Sequence, residues 1–218
     1  RNYIGKKITF VEVGVLAGGS LFMWKDYFGK NARVIGIDLN SEAKKWEKYG
    51  FEIFIGSQSS EKFWDYFYDK IGKIDILLDD GGHYNKQQIT TVHRSIPNIN
   101  DGGMIVIEDS HASYMSQWGN PSKFSFINFS KYMIDKINYR FSNIRLKKRN
   151  KAEKKVFSMS FYESIVVFNI NSKKCLVPEH ILSFGDPFSV VDFSRTEFFP
   201  NIQKFIDTKL SILKKIPI

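Results

Sequence analysis

Val156-Phe157-Ser158-Met159-Ser160-Phe161-Tyr162-Glu163-Ser164-Ile165-Val166-Val167-Phe168-Asn169-Ile170 is the stretch whose reading decides the fold. Val156 to Met159 and Glu163 to Ile170 read as two strands joined through Ser160-Phe161-Tyr162. That link is too short for a helical crossover, so the last strand is expected to run antiparallel. Upstream of it, strand-like and helix-like segments alternate. Ile8 to Val13, Val34 to Ile37, Glu52 to Ile55, Ile74 to Leu78 and Met104 to Ile107 are apolar runs of the kind found in strands buried on both faces. Helical spacing falls between them: Leu21 to Phe28 with Ser20 as cap, Ser41 to Tyr49 stopped by Gly50, Ser60 to Phe67, and Asn85 to Ile96. Pro97 and Asp101-Gly102-Gly103 are expected to turn the chain into the fifth strand, and Ser122 to Ile137 forms a longer helix. Such alternation predicts a parallel sheet with helices on both faces.

A Rossmann-like α/β sheet of seven strands, mostly parallel with a terminal antiparallel hairpin, points to the class I methyltransferase variant of the doubly wound fold rather than to a dehydrogenase. Residues 1–172 are assigned to this domain. Residues 173–218, with a helix expected near Gln203 to Lys214, form an extension that packs on the same domain or at a subunit interface, which leaves a homo-oligomer open.

Composition narrows the class. The 218 residues suffice for one large domain, and 43% hydrophobic with 16% aromatic content is globular rather than disordered. No apolar run approaches the roughly 18–20 residues that span a bilayer. No secretory leader is read, although the sequence starts at Arg1 without a Met. Cys175 is the only cysteine, which excludes an intrachain disulfide and a Cys-based zinc site and suits a reducing, cytoplasmic setting. The net charge of +9 is concentrated between Arg140 and Lys155, where eight Lys/Arg face the single acid Glu153. That run is either a solvated face or an electrostatic lure for a phosphorylated substrate or nucleic acid. No aromatic interleaves with it after Phe141, which disfavours nucleic acid.

The chemistry gathers at the strand ends. Asp79-Asp80-Gly81-Gly82-His83 follows the fourth strand, and Glu108-Asp109 follows the fifth. Neighbouring parallel strands bring these carboxylates to one sheet edge, where their repulsion calls for a hard divalent cation, and His83 beside it is a candidate general base. Ligands of such sheets bind beyond the carboxyl ends of the strands. The turn after the first strand, Glu12-Val13-Gly14-Val15-Leu16-Ala17-Gly18-Gly19-Ser20, has glycines that permit close backbone approach. Leu16 stands where a dinucleotide fingerprint needs glycine, whereas adenosylmethionine has no pyrophosphate and its ammonium group favours an acid such as Glu12. Asp38, ending the second strand, can accept ribose hydroxyls of either cofactor or cap the next helix. Ser57 and Gln58, after the third strand, are placed to hold an adenine. Asp79 is counted with the cofactor-contacting residues, although hydrogen bonding to backbone amides at the helix start is its favoured role.

Glu12 to Val15, Gly18 to Leu21, Trp24, Tyr27-Phe28, Gly36 to Asp38, Gly56 to Ser59, Asp79 to His83, Gly102-Gly103, Ile107 to Asp109, Tyr114 and Phe161 to Val167 together resemble the macrolide-sugar O-methyltransferases of the macrocin and mycinamicin type. The resemblance covers roughly residues 8–170. It implies adenosylmethionine as methyl donor, Mg²⁺, and a sugar hydroxyl as acceptor. It further implies that Asp80, Glu108 and Asp109 bind the metal and that His83 is the base. Two departures stand out: Ser57 replaces a common Asp, and His111 adds an imidazole beside Tyr114 on the acceptor side. The expected activity is thus a metal-assisted sugar O-methyltransferase. Its acceptor, given the basic run, is expected to be a nucleotide-linked or otherwise phosphorylated sugar for a surface polysaccharide. A natural-product glycoside or, by the basic run, nucleic acid are the alternatives.

Overall fold

In the computed structural model, residues 2–118, 122–141 and 154–177 are described. The centre of the basic run, 142–153, and the tail from 178 onward, including the helix expected near Gln203, lie outside them. Seven strands form one sheet in the order β3-β2-β1-β4-β5-β7-β6: β1 Thr9–Val13, β2 Arg33–Asp38, β3 Glu52–Ile55, β4 Ile74–Asp79, β5 Ile99–Ile107, β6 Val156–Tyr162 and β7 Ile165–Ile170. The first five are parallel, and β7 runs antiparallel to both β5 and β6. The helices are α1 Gly19–Phe28, α2 Glu61–Ile71, α3 Asn85–Ser95 and α4 Phe126–Asn138. The sheet matches the expected class, with strand order reversing between β1 and β4.

Successive side chains of a strand point to opposite faces, and here they divide the core in two. Val11, Ile35, Leu77, Ile105 and Phe168 join Trp64 and Phe67 of α2, Val92 of α3, and Phe126 and Met133 of α4. Phe10, Val34, Ile76 and Leu78 join Leu21 and Phe28 of α1 on the other side. Every one of these side chains is buried. Burial of this kind stabilises by about 1.5–3 kcal/mol per large side chain.

Four local expectations are revised. Asp101-Gly102-Gly103 lies inside β5 rather than in a turn before it, because the pairing with β4 shifts register between Ile74 and Ile76 and Gly102 takes φ +90°. The β6–β7 turn is Glu163-Ser164, since Ser160-Phe161-Tyr162 pairs with Val167, Val166 and Ile165. Ser41–Tyr49 is a 3₁₀ helix. Ser20 does not cap α1: Gly18 holds the N-cap position, and Ser20 lies within the first turn.

Past β7, Ser172 donates from its backbone N–H and its hydroxyl to the Asp101 carboxylate, so the chain is tied to β5 beyond residue 172. No helix among the described residues is long and apolar enough to cross a membrane.

Candidate active site

The sheet ladder continues into the site. The N–H of Gly14 donates to Ile37 O at 2.8 Å, that of Asp80 to Val13 O at 2.9 Å, and that of Glu108 to Asp79 O at 2.9 Å. The first residues beyond β1, β4 and β5 are thereby held side by side. Gly14 has φ +96°, and a Cβ there would collide with the Asp80 carbonyl oxygen, so the position requires glycine on both counts.

A cavity of about 520 Å³ opens where the strand order reverses, a size suited to a small-molecule ligand. Gly14, Gly18, Ser20, Asp38, Ser57 and Gln58 line it, and so do Asp80 and His83 of the acidic cluster. Leu16 and Leu39 add an exposed apolar lip that sequence reasoning missed. The available signal was a large apolar residue in an otherwise small-residue turn and another directly after Asp38.

Glu12, expected to meet the cofactor, and Asp79, counted with it but favoured as an acceptor for backbone amides, both lie outside the lining. Glu12 is 1% exposed, and its carboxylate accepts from Ser20 Oγ at 2.8 Å and Trp24 Nε1 at 3.1 Å. Burial pushes it up to about 7, against the lowering effect of those two donors. Asp79 is also 1% exposed and accepts from Gln58 Nε2 at 2.9 and 3.0 Å and from the Gly81 N–H at 3.2 Å. Burial holds it above the usual carboxylate range despite these bonds. The two-residue period explains both: Glu12 shares a face with Phe10, under α1, and Asp79 shares a face with Leu77, under α2 and α3.

Gln58 is the hub on that second face. Besides Asp79, its amide reaches Thr91 Oγ1 at 3.4 Å, and its Oε1 accepts the Gly82 N–H at 3.0 Å. Asp38 has a double role as well. Its Oδ2 accepts the N–H groups of Val15 and Leu16 at 2.8 and 3.0 Å, so it shapes the glycine turn while facing the cavity.

Beside the cavity, one ligating atom each from Asp80, His83 and Asp109 lies within 4.8 Å of the others. This set differs from the expected Asp80, Glu108 and Asp109. Asp109 leaves β5 in the left-handed conformation (φ +51°), and its Oδ2 comes 3.5 Å from His83 Nε2. Glu108 stays outside the tight group, yet close enough that Asp80 and Asp109 add to the effect of burial in raising its carboxyl. Asp80 is raised first by partial burial and then by Asp109, while His83 works in the opposite direction. No lysine or arginine among the described residues bridges to these carboxylates. Carboxylates facing one another without a counter-charge are a donor set that a hard divalent cation fits.

His83 itself has φ +57°, and its Nδ1 is buried without a partner among the described residues. Nε2 is therefore the ring nitrogen that reaches the cluster. On the outer side, His111 Nδ1 lies 2.5 Å from Ser164 Oγ and 3.7 Å from Asp109 Oδ1, and Tyr114 is exposed. Ser164, in the β6–β7 turn, was given no role from sequence, because only the folded hairpin carries it to the end of β5.

No protein-family model matches the chain. In sequence it is similar to the 8-demethyl-8-alpha-L-rhamnosyl tetracenomycin-C 2'-O-methyltransferase of Streptomyces olivaceus, with 34% identity over 116 residues, 50% of this chain and 30% of that protein. It is similar also to the mycinamicin VI 2''-O-methyltransferase of Micromonospora griseorubida, with 28% identity over 152 residues, 64% of this chain and 38% of that protein. The chain thus matches about a third of the length of these curated relatives. In fold it resembles the MycE methyltransferase of the mycinamycin pathway, solved with Mg, SAH and mycinamycin VI, at a TM-score of 0.74 and 22% identity over 89% of this chain and 50% of that one. The chain carries a class I methyltransferase fold and is a sequence relative of the macrocin- and mycinamicin-type sugar O-methyltransferases.

Proposed function

We propose that this chain is an adenosylmethionine-dependent, divalent-metal-assisted O-methyltransferase acting on a sugar hydroxyl. The observation that carries the reading is that Asp80 and His83 belong both to the cavity wall and to the cation-competent group with Asp109. A methyl donor in the cavity and an acceptor at the acidic cluster would therefore share a boundary. Gly14, Gly18, Asp38, Ser57 and Gln58 would hold the donor, with the glycine turn allowing close approach. Asp80 and Asp109, with Glu108 adjoining, would hold the cation. In those sites adenosylmethionine supplies an electrophilic methyl group, and the cation, Mg²⁺ first, the Lewis acidity that makes a sugar hydroxyl easier to deprotonate. His83 takes the hydroxyl proton on Nε2, a contribution of about 10²–10⁴-fold. His111 and Tyr114 face the acceptor.

The named relatives favour a glycoside as acceptor. The basic run from Arg140 to Lys155, with its charge of +7, favours a second reading in which the sugar is nucleotide-linked or otherwise phosphorylated. Residues 1–172 carry the chemistry in either case, and 173–218 form an extension; the lone Cys175 suits a cytoplasmic setting. The test is a methyl-transfer assay of the full chain on free glycosides, glycosylated natural products and nucleotide sugars, with and without chelator. Turnover on any sugar that chelation abolishes is the expected result. Chelator-insensitive turnover, or transfer confined to nucleic acid, would refute the proposal.

A further inference from the structure

We propose that Ser164, at the tip of the β6–β7 hairpin, is a positioning residue that sets the Asp109 carboxylate for cation binding. The inference rests on the metal-assisted reading above and adds to it a residue from a different part of the chain. Three contacts join this one residue to the segment after β5. Its carbonyl accepts the Ser110 N–H at 3.0 Å. Its hydroxyl donates to Asp109 Oδ1 at 3.4 Å. The same Oγ lies 2.5 Å from His111 Nδ1. Donation by the hydroxyl to Asp109 goes with the His111 tautomer that carries its proton on Nδ1. Ser164 thereby links His111 to Asp109 Oδ1, while Oδ2 lies 3.5 Å from His83 Nε2.

The backbone supports the same reading. Among the described residues, four non-glycine positions have φ in the left-handed region, and three of them, His83 (+57°), Asp109 (+51°) and Ser164 (+64°), meet at this cluster. Conformations of this kind are costly and persist where the surroundings hold them. A hairpin turn could relieve its share with glycine, yet Ser164 keeps a hydroxyl there and aims it at a candidate cation ligand. Outer partners of metal ligands typically account for 10–100-fold in metal affinity. The long bond to a half-exposed Asp109 puts Ser164 at the lower end, about tenfold.

The experiment compares Ser164→Ala with Ser164→Gly in the full chain, reading Mn²⁺ affinity by electron paramagnetic resonance and thermal unfolding without metal. Both variants lack the hydroxyl, but glycine accepts φ +64° without strain. The expected result is Mn²⁺ binding weakened about tenfold in both, with the Gly variant melting at or above the wild-type temperature. Wild-type Mn²⁺ affinity in Ser164→Gly would overturn the role of Ser164 alone. A wild-type chain that binds no Mn²⁺ would overturn the metal reading and this role with it.

Discussion

Two sets of carboxylates stand at the same edge of the sheet and are treated in opposite ways. Glu12 and Asp79 are strand residues, each buried under a helix layer and supplied with its own donors, Ser20 and Trp24 for one, Gln58 and Gly81 for the other. Asp80, Glu108 and Asp109 come one or two residues later, after the strands have ended, and face one another with no lysine or arginine among the described residues bridging to them. The first set is internally satisfied and holds the framework. The second has only the imidazoles of His83 and His111 beside it among the described residues and is chemically available. A shift of one residue along β4, from Asp79 to Asp80, separates scaffold from chemistry.

That contrast can be broken most strongly at its available side. His83→Ala is expected to lower kcat by about 10²–10⁴-fold while leaving binding of the demethylated cofactor, measured by calorimetry, within about twofold of wild type, since a base acts on the acceptor rather than on the donor. Full activity in this variant would remove His83 from the mechanism.

Breaking the satisfied side should instead cost stability. Gln58→Ala strips the buried Asp79 of its amide donor and frees the Gly82 N–H. Urea denaturation at neutral pH is expected to show a loss of about 3 kcal/mol.

Glu12 gives the contrast a pH signature. Its carboxyl titrates near 7 when folded and from 4.5 when exposed, so between those values the folded chain binds the extra proton. Its contribution is complete below about 4.5 and is lost as pH rises through about 7. Glu12→Gln keeps partners for Ser20 and Trp24 and lacks this titration. Its stability relative to wild type, followed by urea denaturation from pH 5 to pH 8, is expected to rise by up to about 3 kcal/mol. A constant difference across that range would contradict the buried-acid account.

The smallest effect has the opposite sign. Asp80→Asn relieves repulsion in the metal-free cluster and is expected to stabilise the chain by roughly 0.5 kcal/mol in thermal unfolding while abolishing the stimulation of activity by Mg²⁺. Destabilisation would move Asp80 into the scaffold group.

Much of this was legible along the chain. Apolar runs bounded by glycine and acid located β1 to β5, and the short link before Ile165 foretold the antiparallel end of the sheet. Asp80, His83, Asp109, Asp38 and the glycine turn were singled out because strand ends and switch points are where such folds bind ligands, and the structure gathers them at one cavity and its acidic edge. The placement of Ser20, Glu12 and Glu108 was not legible. Each depends on which face of an element its side chain joins, and a change of one residue in a boundary reverses that face. Asp101-Gly102-Gly103 was misread for a related reason: local turn composition was outweighed by the pairing of β5 with β4.

By itself the sequence determined the order of the elements, the parallel sheet with its antiparallel end, and the pool of acids and the imidazole at its edge, because hydrophobic period and turn chemistry are local properties. The tertiary structure alone decided which acids are satisfied and which are left facing one another. It also brought Ser164 from the distant hairpin to Asp109, because burial and partnership arise only when residues 55 apart in the chain are carried together by paired strands.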